Sequence, residues 1–477
     1  MRDKPVSVDI LLKYPKPDEA YVDKILSDAL SDFDFKIIVL DDDPTGVQTV
    51  HDISVYTDWK EDTFEMGLTE KNGMFFILTN SRSFSLEETK LAHTEMAHNA
   101  FTASVKTNRK FIIISRSDST LRGHYPTETK TLADNLEDLL KIKYDGEVII
   151  PFFKEGGRYT IDNIHYVKEG DMLVPAGMTE FAKDKTFGYE NSDLGKWCEE
   201  KTNGKYKAED MVYISLNELR KIDVDGIKGK LLSVSDFNKI IVNAIDYFDV
   251  KVFAAAFALA MKEGKNFMIR GAAAITKVLG QVADKPLLTK EELIPDKNPN
   301  GGIVIVGSHV NKTTKQLEEL KNCKYPISFV EFNQHRVIEE NGLKDEVQRV
   351  VSVVRQKVSA GETVAVYTRR ERFDLDIDDK DKQLKVSVEI SDAVSSIISL
   401  LDVRPKFIIA KGGITSSDIG TKSLKVKRAT VMGQIKPGIP VWLTGEESKF
   451  PNMPYVIFPG NVGDVSTLRE ACEILMS

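Results

Sequence analysis

Lys36-Ile-Ile-Val-Leu-Asp-Asp-Asp-Pro-Thr-Gly46 joins a short β-branched run to three acids, a proline and a glycine. The run predicts a buried strand over 36–40, and no strand continues through Asp-Asp-Asp-Pro. The device recurs. Met74-Phe-Phe-Ile-Leu78 ends in Thr79-Asn-Ser-Arg-Ser83, and a helical pattern follows from Leu86 to Val105. Lys110-Phe-Ile-Ile-Ile114 ends in Ser115-Arg-Ser-Asp-Ser-Thr-Leu-Arg-Gly123, with a helix predicted over 126–143. Val148-Ile-Ile150 runs into Pro151-Phe-Phe-Lys-Glu-Gly-Gly-Arg158. Strands alternating with helices imply an α/β fold with a mostly parallel sheet, whose ligands lie beyond the carboxyl ends of the strands. Four successive strand ends rich in polar and charged residues therefore point to a site.

The rhythm breaks between Lys285 and Gly302, where Pro286, Pro295 and Pro299 lie among polar residues. This predicts a linker over 286–302 between domains at 1–285 and 303–477. A second set of strands is expected at 303–306, 327–330, 363–366, 407–409, 441–443 and 456–458. Helices are expected over 17–30, 313–322, 344–360 and 390–401, and Asp374 to Lys385 reads as a solvated loop.

A chain of 477 residues with 42% hydrophobic and 29% charged residues suits two or three folded domains. The net charge of -8 argues against a nucleic-acid partner while leaving room for a local basic pocket. The three cysteines, Cys198, Cys323 and Cys472, have no metal-like spacing and read as free thiols. The first residues lack the apolar core of a signal peptide, and the most apolar stretch, Val252 to Met261, is half a membrane span. These features predict a cytoplasmic protein with no membrane partner.

Asp41, Asp42 and Asp43 repel one another unless cations, hydroxyls or N–H groups hold them. They suit proton abstraction from a hydroxyl or the binding of sugar hydroxyls; an acidic turn facing water is the plain alternative. Arg82, Arg116 and Arg122 place three guanidiniums at strand ends, where a planar fork grips a carboxylate. Asp118, Ser119 and Thr120 between them offer groups for hydroxyls. Lys154-Glu-Gly-Gly-Arg158 is a turn with a base on each side, and His124 and His165 read as structural. In the second half, Gly307-Ser308, Lys411-Gly-Gly-Ile-Thr-Ser416 and Gly460-Asn461 follow strands, as phosphate-cradling loops do. Neither a Walker sequence nor Gly-x-Gly-x-x-Gly is present there.

The succession Asp42-Asp43-Pro-Thr45-Gly46, Asp118-Ser119-Thr120-Leu-Arg122-Gly123, Gly307-Ser308, Gly412-Gly413-Ile-Thr415-Ser416 and Gly460-Asn461 resembles the four-carbon acid sugar kinase family, across essentially the whole chain from Lys36. That family includes kinases of threonate, erythronate and 3-oxo-tetronate. The resemblance implies an N-terminal sugar-acid domain, a C-terminal ATP domain and a reaction in the cleft between them. By position, Asp42 and Asp43 match the paired acids. Arg82, Asp118, Ser119, Arg122 and Arg158 match the substrate side, and Ser308, Gly412, Gly413, Ile414, Thr415 and Gly460 the nucleotide side. The segment from Ile164 to Lys221 departs from the family pattern.

The resulting expectation is an ATP-dependent kinase. The substrate carboxylate sits among Arg82, Arg116 and Arg122, Asp42 or Asp43 is the base, and magnesium bridges the ATP phosphates. Two alternatives stand beside it. Asp41-x-Asp43-x-Thr45 also fits the nucleophile loop of haloacid-dehalogenase-like phosphatases, with Asp378-Asp379 a poor match for their metal-holding acids. A non-catalytic nucleotide or metabolite sensor is the other. A homodimer is the default assembly.

Overall fold

The computed structural model describes residues 4–294, 298–371, 373, 380–460 and 462–477, without the side chains of 380–382 and 384. Asp378, Asp379, Asn461 and Pro295 lie outside the described residues. Two compact units emerge, one from 1–46 and 58–283, the other from 47–57 and 284–477.

The first unit is built on a parallel sheet. Its strands run in the order Val212–Ile214, Asn238–Val242, Gly146–Ile150, Phe267–Gly271, Phe111–Arg116, Lys36–Asp41 and Met74–Leu78. Every neighbouring pair is parallel. Lys36–Asp41 and Phe111–Arg116 are buried along their whole length, since helices cover both faces of such a sheet. The four strands expected from sequence are here; those at 212–214, 238–242 and 267–271 were not anticipated. Nor was a separate antiparallel sheet of Val6–Ser7, Met172–Pro175, Ile164–Glu169 and Arg158–Ile161. Its strands are two to six residues long, and all but Met172–Pro175 carry polar side chains, so the sheet lacks the longer apolar runs that mark the central sheet. The apolar stretch 252–261 lies within the helix Tyr247–Lys262, which is buried on almost all sides. No helix among the described residues is long and apolar enough to cross a membrane.

The second unit's sheet has the order Ile53–Tyr56, Arg428–Lys436, Ile439–Thr444, Pro454–Phe458, Ile408–Lys411, Ile303–Val306, Thr363–Thr368 and Ile327–Phe332. The last five are parallel and the first three add antiparallel pairs. Val304, Val306, Leu317, Ile409, Val456 and Phe458 form the heart of its core. Ile53–Tyr56 pairs with Arg428–Val431, so a strand close to the N-terminus belongs to the C-terminal sheet. A division of the chain at one linker misses this insertion. The helix expected over 390–401 begins earlier, at Lys380, and runs to Leu400, so Lys380 to Lys385 are not part of a loop.

Candidate active site

Strand register assembles the first cluster. Asp41 pairs with Arg116, and Arg116 in turn with Gly271, so three strand ends lie level. The Asp41 carboxylate turns back over its own loop, where a Cβ on Gly46 would fall 1.9 Å from its Oδ2. It is 2% exposed and lies 3.3 Å from Arg116 Nη1. Burial, only partly offset by Arg116, pushes Asp41 up to about 8. Such a group is a strut of the loop.

Asp42 and Asp43 differ from Asp41 and from each other. Asp42 lies 3.2 Å from Arg82 Nε and 3.6 Å from Arg116 Nη1, and its Oδ2 accepts the Asp118 N–H at 3.2 Å. Its Oδ1 is buried and accepts no hydrogen bond. Burial outweighs Arg82 and Arg116 and raises Asp42 to about 7. Asp43 is fully engaged: Oδ1 accepts from the Thr45 N–H at 2.8 Å and its hydroxyl at 2.5 Å, and Oδ2 pairs with Arg82 Nη2 at 2.5 Å. Burial opposes its ionisation, but Arg82 and the Thr45 bonds prevail and hold it below the usual carboxylate range.

The 117–123 loop brings the remaining groups. Asp118 Oδ2 accepts from Arg122 Nε at 2.7 Å and from the Thr120 hydroxyl. Against the cost of burial, Arg122 and Arg82 hold Asp118 well below the ordinary range. The Ser119 carbonyl is tied to the buried His165 ring at 2.8 Å, and the Thr120 carbonyl accepts from Tyr189 Oη at 2.7 Å. His165 is thus a positioning residue for the loop, and His124 likewise bonds the Phe84 carbonyl at 2.9 Å.

The three guanidiniums expected to grip a carboxylate are therefore occupied by the chain's own acids: Arg82 by Asp42 and Asp43, Arg116 by Asp41 and Asp42, Arg122 by Asp118. Arg158 differs. It donates to the Gly156 carbonyl and lies 5.6 Å from the Phe181 ring centroid, but no ion pair involves it among the described residues. Phe181 also faces Arg122 at 5.1 Å, and Asp184 lies 3.9 Å from Arg122. The segment that departs from the family pattern thus packs on the two arginines. Sequence reading missed Arg270 and Glu128. Arg270 is buried against the stacked rings of Tyr125 and Trp197 and donates to the Arg122 carbonyl at 3.2 Å. A Cβ on Gly123 would lie 3.6 Å from Asp42 and Glu128 and 4.0 Å from Arg270, so only glycine leaves that space open. Reading Phe267-Met-Ile-Arg-Gly271 as a strand would have found Arg270 by the same strand-end logic.

In the second unit Val306, Lys411 and Phe458 are register neighbours, and the loops after them start at one level. Ser308 stands at their centre. Its Oγ is 3.3 Å from Thr313 Oγ1 and 3.5 Å from where a Gly460 Cβ would be. A Cβ on Gly412 would come within 3.2 Å of Ser308 Cβ, and one on Gly307 within 2.2 Å of Thr415 Oγ1. Gly413 opens the short helix Gly413–Asp418, in which Ile414 is 69% exposed. The structure thus brings Ser308, Gly412, Thr415 and Gly460 together, with Gly413 and Ile414 on the adjoining turn. Lys411, the first residue of the 411–416 loop, lies with them, and Arg370 joins them unannounced.

Two family models match the chain: a sugar-binding N-terminal domain over residues 37–279 and a nucleotide-binding C-terminal domain over 303–468. No curated protein matches it. Among solved structures, a Haemophilus influenzae protein from a domain-of-unknown-function family is 18% identical, covering 92% of this chain and 100% of that one, with a TM-score of 0.57. A Salmonella typhimurium LT2 protein, provisionally named a tRNA synthase, is 16% identical over 91% of this chain and 98% of its own, with a TM-score of 0.63. At these identities the likeness is one of fold. With both domain models matched in order along the chain, and the acid and glycine clusters falling one in each, the protein belongs to the four-carbon acid sugar kinase family.

Proposed function

We propose that this protein transfers the γ-phosphoryl group of ATP to a hydroxyl, the terminal one, of a small four-carbon sugar acid such as threonate, erythronate or 3-oxo-tetronate. One observation carries the reading: in a buried cluster of acids and guanidiniums, Asp42 Oδ1 lacks a hydrogen-bond donor and Arg158 makes no ion pair among the described residues. A hydroxy-acid supplies both, a proton for the first and a carboxylate for the second.

In this scheme Arg158 takes the carboxylate in charge-assisted hydrogen bonds, with Phe181 shielding it from water. Ser119 and Thr120 hold hydroxyls. Arg82, Arg116 and Arg122 hold the acids in place, and Arg82 and Arg122 keep Asp43 and Asp118 ionised. Asp42, raised towards neutrality, removes the proton from the attacking hydroxyl as its oxygen bonds the γ-phosphorus and ADP departs. Asp43 keeps Arg82 oriented. Ser308 and the Gly412–Thr415 loop bind the ATP phosphates, through N–H groups that glycine leaves accessible. Magnesium supplies charge neutralisation on the phosphates. Among the described residues no group of three or more acids, histidines or cysteines could hold a metal, so it belongs to the nucleotide in this reading.

The haloacid-dehalogenase alternative is disfavoured, because its nucleophile would be Asp41, which is buried, paired and raised to about 8. The test is ATP consumption against a panel of four-carbon sugar acids, with product mass measured. A substrate-dependent gain of one phosphoryl group supports the kinase. Phosphate release from a phosphorylated acid without ATP would replace it with the phosphatase, and ligand binding with no turnover of either kind would leave a sensor.

A further inference from the structure

Lys411 ends the strand Ile408–Lys411 and is fully buried, yet no carboxylate pairs with it among the described residues. Its ammonium donates to the carbonyls of Pro459, at 2.5 Å, and Gly460, at 3.2 Å, and lies 4.2 Å from the Phe458 ring centroid. Burying a cation without a counter-charge is costly, and an apolar side chain of the same length would pack there at no such cost. Arg370, just beyond the strand Thr363–Thr368, is half-buried and likewise has no paired carboxylate among the described residues. Its Nη2 donates to the Ser308 carbonyl at 2.6 Å and to Thr314 Oγ1 at 3.0 Å. Its Nη1 is buried and meets no hydrogen-bond partner, and no ion pair involves it among the described residues.

Both cations reach the glycine loops. Arg370 holds the Ser308 carbonyl, Ser308 Oγ lies beside Thr313 Oγ1, and the Thr313 hydroxyl shares the Gly460 carbonyl with Lys411. Cations without a paired carboxylate are thus gathered at loops where an added Cβ on Gly412 would crowd Ser308, so the backbone there is left bare of side chains. We propose that Lys411 and Arg370 are the cationic ligands of the nucleotide's terminal phosphates, and that Lys411 takes up a proton from solvent as the nucleotide binds; this rests on the nucleotide-binding reading of the second domain. Burial, with a smaller push from Lys312, brings Lys411 down to about 7. The other groups packed on it, the Phe458 ring and the two carbonyls, do not titrate. Above that pH the free protein holds much of its Lys411 neutral, and a phosphate anion beside it restores the charge.

Titration calorimetry of the full chain with ADP and with AMP, at pH 6 and pH 8 in buffers of different ionisation heat, tests this. Wild type takes up close to one proton per ADP at pH 8 and little at pH 6. Lys411→Met abolishes the uptake, and both Lys411→Met and Arg370→Met weaken ADP about 10- to 100-fold, the range of one charge-assisted bond. AMP, which lacks the terminal phosphates, binds the variants as it binds wild type. Equal losses for ADP and AMP would make Lys411 a clamp between strand end and turn and overturn the proposal. Undiminished ADP binding by both variants would overturn it while leaving the nucleotide site standing. Failure of the wild type to bind ADP or ATP at all would instead remove the nucleotide reading itself.

Discussion

Gly46 and Asp41 occupy one space: a Cβ on the glycine would lie 1.9 Å from one carboxylate oxygen of the aspartate and 2.1 Å from the other. The carboxylate that closes the loop is also the one paired with Arg116, so the loop, the ion pair and the neighbouring Asp42 are mechanically joined. Gly46→Ala must push Asp41 aside. The expected cost is about 1–3 kcal/mol of stability from overpacking, with turnover falling more than the affinity for either substrate. Urea unfolding read alongside steady-state kinetics checks both; a variant with unchanged stability and turnover would contradict the shared space.

Asp42→Asn removes the proton acceptor while preserving shape. Turnover is expected to fall about 10²- to 10⁴-fold, with binding of the sugar acid retained. Asp43→Asn loosens Arg82 and is expected to weaken turnover and acid binding together. If Asp43→Asn alone showed the clean loss of turnover, the base assignment would pass to Asp43.

Activity and stability should respond to pH in opposite senses. Asp42 acts as a base only when ionised, so kcat/KM is expected to rise with pH through about 7. Asp41 and Asp42 are both raised from an ordinary value of 3.8, to about 8 and about 7, so the folded state holds their protons more tightly than the unfolded chain. The stability from this is fully present below the ordinary value and is lost as pH rises through 7 to 8. Unfolding midpoints between pH 4 and 8 should decline, and less steeply in Asp41→Asn; identical slopes would argue that Asp41 is ionised throughout.

Arg158→Gln removes a cation that makes no ion pair among the described residues. Stability is expected to change little, while KM for the sugar acid rises about 10- to 100-fold at constant KM for ATP. Arg122→Gln, by contrast, deprives the partly buried Asp118 of its nearest partner and is expected to cost about 1–3 kcal/mol of stability, the range for losing a charge-assisted hydrogen bond. Thermal unfolding of the two variants side by side separates the roles, and equal destabilisation would deny Arg158 its special status.

Much of the parallel sheet was legible because its strands are buried on both faces and read as unbroken apolar runs. The helices expected from periodicity lie within a few residues of their places, apart from the early start at Lys380, whereas others, Tyr247–Lys262 and Thr467–Met476 among them, were not anticipated. The strand at 428–436 escaped because it is half-exposed and alternates polar with apolar residues, and those at 53–56 and in the antiparallel sheet because they are only two to six residues long. The acid and glycine clusters were visible as strand ends, whereas Arg270 and Arg370 were missed because the strand before one was not recognised and the end of the strand before the other was not searched.

By itself the sequence determined that there are two α/β domains, that polar clusters sit at strand ends, and which residue types gather there, because these are local properties of short windows. Only the tertiary structure decided which charge meets which. Asp41 faces Arg116 through the register of two strands far apart in the chain, and a hairpin carries Arg158 to the Phe181 ring, where it makes no ion pair among the described residues. Ionisation follows from that arrangement: Asp42 and Asp43 are neighbours of one residue type, and burial and hydrogen bonding send them in opposite directions.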